Sequence, residues 1–395
     1  MDRFIEESPF FTDDHRLLAS SVADFAAREI EPYAAQAEEA SDEDFRALVA
    51  LLAEVNLLRF SVRTHTDAPL NVRALCLVRE ALAYSSALAD LAFVMQGLGT
   101  YAVSLAAPEH VRQFWIARAA AGKAVAAFAL TEPEAGSDVS AITTTARRDA
   151  DAYVLDGRKR FISNAGVADF YTVFARTGAR PDGRPAISAF LVSARMPGFN
   201  VRERTRLVAA HPIGEIEFTN LRVPAEDMVG AEGEGYALAM RTMSVFRPSV
   251  GAAACGMARR ALDEAVAHAR TRRQFGAPLA SHQLVQAKLA EMATELDAAR
   301  LLVYRAAHLR DTLGDGDAES PEAQSAATRA ASQAKLFATE AAQRIVDEAV
   351  QIHGGAGLVR GTVVERLYRD VRALRIYEGT SEIQKLIIAR ELLRE

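Results

Sequence analysis

The feature that most constrains the fold is a change of sequence pattern that occurs twice along the chain. From Asp13 to about Arg118, apolar residues recur at helical spacing and alanine is abundant. Between about Ala126 and Pro224, short segments rich in β-branched and aromatic residues alternate with turn clusters, which is typical of a small antiparallel β-barrel or sandwich. After Gly235 the helical pattern returns. The chain is therefore predicted to insert a β-domain between two helical domains.

Within the middle region, turn-forming residues separate the segments that are predicted as strands. These segments are Ile142–Arg148, Tyr171–Arg176, Ala186–Val192 and Gly214–Val223. The dipeptide Asp156-Gly157 lies between two further short runs, and it predicts a tight hairpin turn there.

Four long helical stretches and a terminal helix are predicted after Gly235. The long stretches are Tyr236–Arg273, Ser281–Thr312, Pro321–His353 and Gly361–Leu374, with a polar loop at Gly314–Ser320. Ser381 and Gln384 have the spacing of a capping box at the start of the terminal helix. The expected domains are residues 1–125 (N-terminal, all-α), 126–235 (middle, β) and 236–395 (C-terminal helical bundle).

Composition excludes several classes of protein. Half of the 395 residues are hydrophobic and the net charge is −6 without a basic run, which argues against nucleic acid or an acidic membrane as the main partner. Cys76 and Cys255 are the only cysteines, which suits a reducing compartment. The N-terminal segment MDRFIEESPF has no apolar core and is not expected to be a signal peptide. The stretch 119–130, taken as the most apolar, is too short to span a bilayer. We expect a cytoplasmic protein.

Common catalytic and cofactor motifs are absent from the sequence. Gly97-Leu98-Gly99 and Gly233-Glu234-Gly235 lack the third glycine of a dinucleotide-binding fingerprint and follow no predicted strand. No P-loop, zinc-protease or serine-hydrolase motif occurs. The eight histidines are scattered, so no metal site is expected.

Several polar or glycine-rich clusters stand out instead. They are TEPEAGSD (Thr131–Asp138), RKRFISNAG (Arg158–Gly166), TRRQFG (Thr271–Gly276), IHGGAGLVRG (from Ile352) and IYEGTSEIQ (from Ile376). Each alone has an ordinary structural explanation, such as a helix cap, a solvated basic face or a helix end.

Taken in this order and spacing, the clusters resemble those of the acyl-CoA dehydrogenase family, and the resemblance extends from about Phe11 to Glu395. It implies an α+β fold with an N-terminal helical domain, a middle antiparallel β-domain and a C-terminal four-helix bundle. It also implies FAD as cofactor, bound between the β-domain and the C-terminal helices.

The resemblance implies that Glu378 is the catalytic base. Burial can raise the pKa of a carboxylate toward the working pH, as abstraction of a weakly acidic α-proton requires. The backbone N–H of Glu378 would bind the thioester oxygen, and Gly379 would leave room for the substrate. Arg247, which precedes Pro248, would lie near the carboxylate. Some relatives carry the base at the position of Phe246, which cannot accept a proton. The alternatives are that Glu378 only caps the last helix and that Arg247 is a surface residue.

Positions for FAD also follow from the resemblance. The residues that would line the flavin ring and substrate are Phe128, Leu130, Thr131, Gly136 and Ser137, together with Phe161 (tryptophan in many relatives) and Ser163 (threonine in many). Those that would bind the FAD of a neighbouring subunit are Arg272, Phe275, Gln351, Gly354 and Gly355, and Thr380 would lie near the FAD phosphates of its own subunit. A cofactor shared in this way implies at least a dimer, and the family is usually tetrameric.

The substrate-binding positions are Ser137, His211, Tyr377 and Gly379. Many relatives have a serine or threonine loop that contacts the CoA pyrophosphate, whereas this chain has AAHPIG at Ala209–Gly214, with His211 near the serine position. Three alternatives are open: His211 binds phosphate, the acyl group is tethered to a carrier protein, or His211 is a loop residue with no role. Glutaryl-type substrates are not expected, because the family's substrate-binding arginine is replaced near Asp90.

The function expected from these residues is oxidation of an acyl-CoA to the trans-2-enoyl-CoA in fatty acid metabolism, with electrons passing to an electron-transfer flavoprotein. Alternatives are the same chemistry on a carrier-protein thioester, and an oxygen-using acyl-CoA oxidase. Flavin monooxygenases of this fold generally lack the catalytic glutamate, so Glu378 counts against them. A nucleic-acid-binding flavoprotein would be expected to show a basic patch, and the net charge of −6 without a Lys/Arg run argues against this class.

Overall fold

The computed structural model describes residues 2–34, 40–65, 68–313 and 320–394. It divides into two compact units, one formed by Met1–Glu39, Asn71–Asp90 and Ser244–Glu395, the other by Ala40–Leu70 and Leu91–Met243. The polar loop predicted at Gly314–Ser320 lies outside the described residues except for Ser320.

The described α-helices, in chain order, are α1 (Arg3–Glu7), α2 (Asp13–Phe25), α3 (Glu31–Ala34), α4 (Asp42–Glu54), α5 (Val72–Ser85), α6 (Ala87–Ala106), α7 (Glu109–Ala120), α8 (Gly235–Thr271), α9 (Gln283–Leu313), α10 (Pro321–His353), α11 (Val363–Val371) and α12 (Ser381–Leu392). The predicted C-terminal helices are confirmed. α10 has the predicted bounds, since Ser320 caps its N-terminus through the amide of Ala323 and Pro321 suits the first turn.

In the first unit, α10 packs against α9, α11 and α12, while α5 packs against α2 and α9. The approach of α8 to α5 is close: a Cβ atom added at Gly256 would lie 2.2 Å from the carbonyl oxygen of Glu80. Only glycine allows this contact, which brings α5 and the middle of α8 together.

The second unit is built around a sheet with strands β1 (Ala126–Ala129), β2 (Thr145–Asp149), β3 (Ala152–Ser163), β4 (Phe170–Ala179), β5 (Pro185–Ser193), β6 (Phe199–Arg204), β7 (Ile213–Pro224) and β8 (Met228–Val229). Their order is β6-β7-β3-β2-β4-β5-β8, with β1 beside β4. Described neighbours are antiparallel except for β1–β4 and β2–β4, which are parallel. A helical–sheet–helical α+β fold is therefore confirmed, with a sheet that is mainly rather than wholly antiparallel.

The hairpin predicted at Asp156-Gly157 is wrong. These residues lie within β3, where the pairing with β7 slips between Leu155 and Gly157 and forms a bulge. Gly157 has a φ of +145°, and a Cβ atom there would lie 2.7 Å from Thr144. The turn between β2 and β3 falls instead beside the paired residues Asp149 and Ala152.

The capping box predicted at Ser381 and Gln384 is also wrong. The N-cap of α12 is Thr380, whose hydroxyl oxygen accepts a hydrogen bond from the amide of Ile383 at 3.3 Å. Ser381 is the first helical residue and donates to Glu340. Long-range partners therefore shifted the cap by one residue.

The most apolar segment is α6 rather than residues 119–130. By length and composition α6 could cross a membrane, with a mean hydropathy of 1.3 over its best window, but 89% of that window is buried within the protein, as in a core helix.

Candidate active site

The predicted base lies in an unusual backbone turn just before α12. Glu378 has a φ of +52° and Gly379 a φ of +91°. The left-handed region costs a residue with a side chain about 1–3 kcal/mol. Glycine accepts this conformation freely, but Glu378 does not, so its surroundings must hold it there.

Three side chains from three helices hold this turn through its carbonyl groups. Gln384 of α12 donates to the carbonyl oxygens of Glu378 (3.2 Å) and Gly379 (3.0 Å). Lys335 of α10 donates to Gly379 at 2.8 Å, and Arg247 of α8 donates to Glu378 at 3.5 Å. We call Gln384, Lys335 and Arg247 the carbonyl clamp.

The carboxylate of Glu378 has the properties of a base. Part of the residue's surface is exposed, but its Oε2 atom is buried and has no hydrogen-bond partner among the described residues. Burial raises the pKa of Glu378 above its ordinary value, although the nearby cations Arg79, Arg247 and Lys335 oppose the rise. A carboxyl group in such a site can accept a proton from a weak carbon acid.

Arg247 is brought beside Glu378, as the sequence predicted, and it is buried. The alternative of a surface arginine is therefore wrong. Tyr377 lies in the same region, where burial raises the pKa of its phenol well above the usual range. Tyr377 and its hydrogen-bond partner Arg79 are thus part of the polar surroundings of Glu378.

A buried ion pair beside Glu378 was not predicted. Arg79 of α5 is 1% exposed and donates to both carboxylate oxygens of Asp90, each at 2.7 Å. It also donates to the hydroxyl of Ser249 at 2.9 Å. From the sequence, Asp90 marks the place where the family's arginine is replaced, but the fold brings a guanidinium to it from the neighbouring helix.

In the β-domain unit, the loop that begins at Leu130 is anchored by a second buried ion pair. Lys159 of β3 donates to Glu132 at 2.8 Å and to the carbonyl of Leu130 at 3.1 Å. Glu132 also accepts from the amides of Thr143 (2.6 Å) and Thr144 (2.9 Å). Burial alone would raise the pKa of Glu132, but Lys159 and these hydrogen bonds lower it to about 2. Neither role is evident from the sequence, because the pattern T-E-P-E is typical of a helix or turn cap.

This anchor fixes the loop that carries four of the predicted flavin residues, Leu130, Thr131, Gly136 and Ser137, while Phe128 lies just before it in β1. The carbonyl of Thr131 also accepts from the amide of Arg160 in β3 at 2.9 Å. A Cβ atom at Gly136 would meet no atom within 4 Å. The fold of this chain therefore does not itself require glycine there, whereas a ligand lying against the loop would.

Strand β3 carries the other two predicted flavin residues of this unit. Phe161 has a φ of +54° and is half exposed, where the pairing of β3 with β7 slips between Lys159 and Ile162. The hydroxyl of Ser163 forms a 2.8 Å hydrogen bond with Nε2 of His211. Burial lowers the pKa of His211 to about 4, so the imidazole is neutral at pH 7. The neutral ring can hydrogen-bond a phosphate, and in the ligand-free protein it brings no positive charge to this loop.

The residues predicted to bind a neighbouring subunit's FAD lie on the surface of the C-terminal helices. Phe275 is 96% exposed and has a φ of +51°, in a hairpin formed by β9 (Arg273–Gln274) and β10 (Ala277–Pro278). The rings of His268 and His353 stack at 4.2 Å, which brings the ends of α8 and α10 together. Arg272 therefore lies near the end of α10, where the other predicted residues, Gln351, Gly354 and Gly355, are found.

The composition of this surface fits a dinucleotide. A Cβ atom at Gly354 or Gly355 would meet no atom within 4 Å, and Gly355, unlike Gly354, has no positive φ that calls for glycine. The guanidinium of Arg272 is a suitable partner for a diphosphate, and the exposed ring of Phe275 offers a stacking face. Thr380 uses its hydroxyl oxygen to cap α12, and its hydroxyl also donates a hydrogen bond to the carboxylate of Glu382.

Comparison with known proteins identifies the family of the chain. Models of the acyl-CoA dehydrogenase N-terminal, middle and C-terminal domains match residues 12–123, 127–221 and 233–393. The 3-(aryl)acrylate reductase of Clostridium sporogenes is 38% identical over 390 residues, covering 98% of this chain and 100% of that protein.

Two solved structures show the same fold. Butyryl-CoA dehydrogenase from Megasphaera elsdenii has a TM-score of 0.86 at 32% identity, covering 97% of this chain and 99% of its own. An acyl-CoA dehydrogenase complexed with FAD from Bacillus anthracis has a TM-score of 0.88 at 31% identity, covering 97% of this chain and 67% of its own. The chain belongs to the acyl-CoA dehydrogenase family, FAD-dependent oxidoreductases that act on the CH–CH bond of acyl-CoA thioesters.

Proposed function

We propose that this enzyme oxidises an acyl-CoA thioester to the trans-2-enoyl-CoA, with Glu378 abstracting the α-proton. The observation that carries the proposal is the Glu378 turn. Its carboxylate oxygen Oε2 is buried without a partner among the described residues, and its strained backbone is held by the carbonyl clamp. The alternative that Glu378 only caps α12 loses its basis, because Thr380 is the cap.

The residues of this chain divide the work as follows. Glu378 takes the α-proton on its carboxylate, while its backbone N–H donates a hydrogen bond to the thioester oxygen and stabilises the enolate that develops. Gly379 leaves the approach to the thioester free of a side chain. Bound FAD supplies the acceptor for the β-hydride at its N5 atom. Arg247 sits beside the base and favours its ionised form.

The proposal includes the flavin-binding residues of the β-domain and of the C-terminal domain, in the roles that the family resemblance implies. It also includes three domains, residues 1–125, 126–235 and 236–395.

We further propose that the active enzyme is a homo-oligomer, a dimer or a tetramer of two dimers. Apolar side chains are exposed on the C-terminal helices and their connections, which is typical of a subunit interface. They include Phe275, Leu284, Leu358 and Leu386.

We propose a CoA thioester as substrate, an electron-transfer flavoprotein as the electron acceptor, and a role in fatty acid metabolism. The two cysteines are free and buried, which suits a cytoplasmic location. A carrier-protein thioester is the second candidate, favoured by one observation: the neutral His211 provides no cation for a CoA pyrophosphate. An acyl-CoA oxidase would share the Glu378 turn and differs only in using oxygen.

The experiment is anaerobic mixing of the yellow, FAD-loaded protein with acyl-CoAs of different length and branching, followed through the visible absorbance of oxidised flavin. Rapid bleaching ranks the substrates by kcat/KM. The same acyl group on a carrier protein serves as the matched comparison, and faster bleaching by that thioester would replace CoA in the proposal. No bleaching by either form would refute acyl thioester oxidation.

The direction of the reaction is tested in the same way. The Clostridium sporogenes relative is named as a reductase of an aryl-substituted acrylate. A base and a hydride carrier of this kind serve both directions. Reoxidation of the reduced protein by enoyl-CoAs, at a rate above bleaching by acyl-CoAs, would assign the reducing direction to this chain.

A further inference from the structure

Lys335 stands out because the sequence motifs that define the site do not include it. It lies in the middle of α10 and its side chain is 0% exposed. A fully buried lysine is rare unless it has a partner. Its partner is the carbonyl oxygen of Gly379, at 2.8 Å, one residue after the base.

The hydrogen bond alone does not explain a lysine at this position. The carbonyl of Gly379 already accepts from the uncharged amide of Gln384 at 3.0 Å. A backbone carbonyl has two lone pairs and can accept both hydrogen bonds, but a neutral donor would fill the second place without the penalty that burial of an ammonium group carries. The feature that only Lys335 adds is its positive charge.

The charges around Glu378 show where that charge acts. Arg79 and Asp90 both face Glu378, but they form a bidentate pair and largely cancel each other. The other two cations that act on Glu378 among the described residues are Arg247 and Lys335, and neither forms a bidentate pair with a carboxylate as Arg79 does.

Lys335 is itself charged at neutral pH. Burial lowers its pKa to about 8, while Glu378 opposes the shift. The other charges that act on it are Arg247, Glu340 and Glu382. Glu340 is engaged by Arg375 and Ser381.

We propose that Lys335 is a positioning residue for the reaction: it holds the Gly379 carbonyl, and thereby the N–H and carboxylate of Glu378, and it places a positive charge beside the base. The inference rests on the proposed role of Glu378. Lys335 of α10 would thus contribute to catalysis through Glu378, without contacting the reacting atoms itself.

The test compares Lys335→Met, Lys335→Arg and the exposed control Lys385→Met, each loaded with FAD. The rate of flavin bleaching is measured from pH 5 to pH 9 with the acyl-CoA that bleaches the wild type fastest. We expect Lys335→Met to be slower by roughly 10- to 100-fold at pH 7, as for a misplaced catalytic group. Without the nearby cation, the acid limb of its profile moves about one unit to higher pH. Lys335→Arg restores the limb, and Lys385→Met matches the wild type.

An unshifted acid limb in folded, FAD-loaded Lys335→Met overturns the proposal, even if the rate falls, because a purely structural lysine would lower the rate without moving the limb. If Lys335→Met does not fold, Lys335→Gln is measured instead, because it keeps a neutral donor to Gly379. The acid limb of its pH–rate profile must then move to higher pH by the same amount.

Failure of the proposed function is recognised separately, because no acyl thioester then bleaches the wild-type flavin. In that case a crystal structure of Lys335→Met decides the positioning role. A Glu378 φ that stays positive overturns the proposal, and one that leaves the positive region supports it.

Discussion

Replacement of Glu132 by glutamine tests the anchor of the flavin loop. Glu132 is 4% exposed and Lys159 is 0% exposed, so the variant leaves a buried ammonium group without its counter-ion. Removing one partner of a buried ion pair destabilises a protein by about 3–5 kcal/mol. The hydrogen bonds from the amides of Thr143 and Thr144 are weakened as well, since they lose a charged acceptor.

The chain carries a convenient probe for this unit. Its single tryptophan, Trp115 of α7, packs against Phe170 of β4 with 4.7 Å between ring centroids. Urea denaturation followed by tryptophan fluorescence therefore reports unfolding of the unit that contains Glu132. We expect Glu132→Gln to lose about 3–5 kcal/mol of unfolding free energy at pH 7, together with part of its FAD.

The pH dependence has a defined sign. The pKa of Glu132 is about 2 in the folded protein and 4.5 in the reference state. Its ionised form therefore stabilises the fold fully above pH 4.5, and this contribution is lost as the pH falls toward 2. The wild type should show that loss, and Glu132→Gln should show little of it.

Two controls make the result decisive. The exposed neighbour Glu134 gives the matched variant Glu134→Gln, which should leave stability unchanged. The double variant Glu132→Gln/Lys159→Met should lose less than the sum of the single variants, because the unpaired charge is gone. The account of the anchor is refuted if Glu132→Gln stays within about 0.5 kcal/mol of the wild type.

Three further predictions concern other parts of the site. Arg272→Gln should lower bound FAD several-fold while the exposed control Arg270→Gln keeps it, as measured by absorbance after gel filtration; equal flavin contents would contradict the role of Arg272. Phe275→Ser should shift the enzyme toward monomers in sedimentation, because its ring is 96% exposed in the single chain; an unchanged mass would remove Phe275 from the interface. The pKa of His211 is 6.5 in the reference state and about 4 when folded. Between these values the unfolded protein binds about one more proton than the folded protein, so the free energy of unfolding should fall as the pH is lowered from 6.5 to 4. His211→Gln should lack this part of the fall; equal slopes in the two proteins would contradict the neutral imidazole.

Much of the fold could be predicted because its signals are local. The helical period that follows the polar loop ending at Ser320 defined α10 to the residue, and the change of pattern near 126 and 235 marked the β-region. The last motif contains Glu378, and the family resemblance added Arg247, which precedes Pro248; the structure does bring these two residues together.

The failures have a common physical cause. At Asp156-Gly157 a tight turn and a bulge both call for glycine, and only pairing of β3 with β7 selects the bulge. At Ser381 the local capping pattern was overruled by a distant partner, Glu340. Arg79–Asp90 and Glu132–Lys159 join residues of different elements, and no local pattern announces such pairs.

Lys335 was missed for the same reason, since its acceptor lies 44 residues further along the chain. Helix α10 looked like an ordinary amphipathic helix, in which a lysine is expected to face solvent. Only the fold shows that this lysine is turned inward and reaches the Gly379 carbonyl.

The most direct measurement of the central claim is the rate at which substrate bleaches the flavin in Glu378→Gln, with the exposed Glu382→Gln as matched control. If Glu378 is the base, its variant should bind FAD and substrate normally and bleach roughly 100- to 10,000-fold more slowly, as expected for loss of a general base. Glu382→Gln should bleach at the wild-type rate. Undiminished bleaching by FAD-loaded Glu378→Gln would contradict the account.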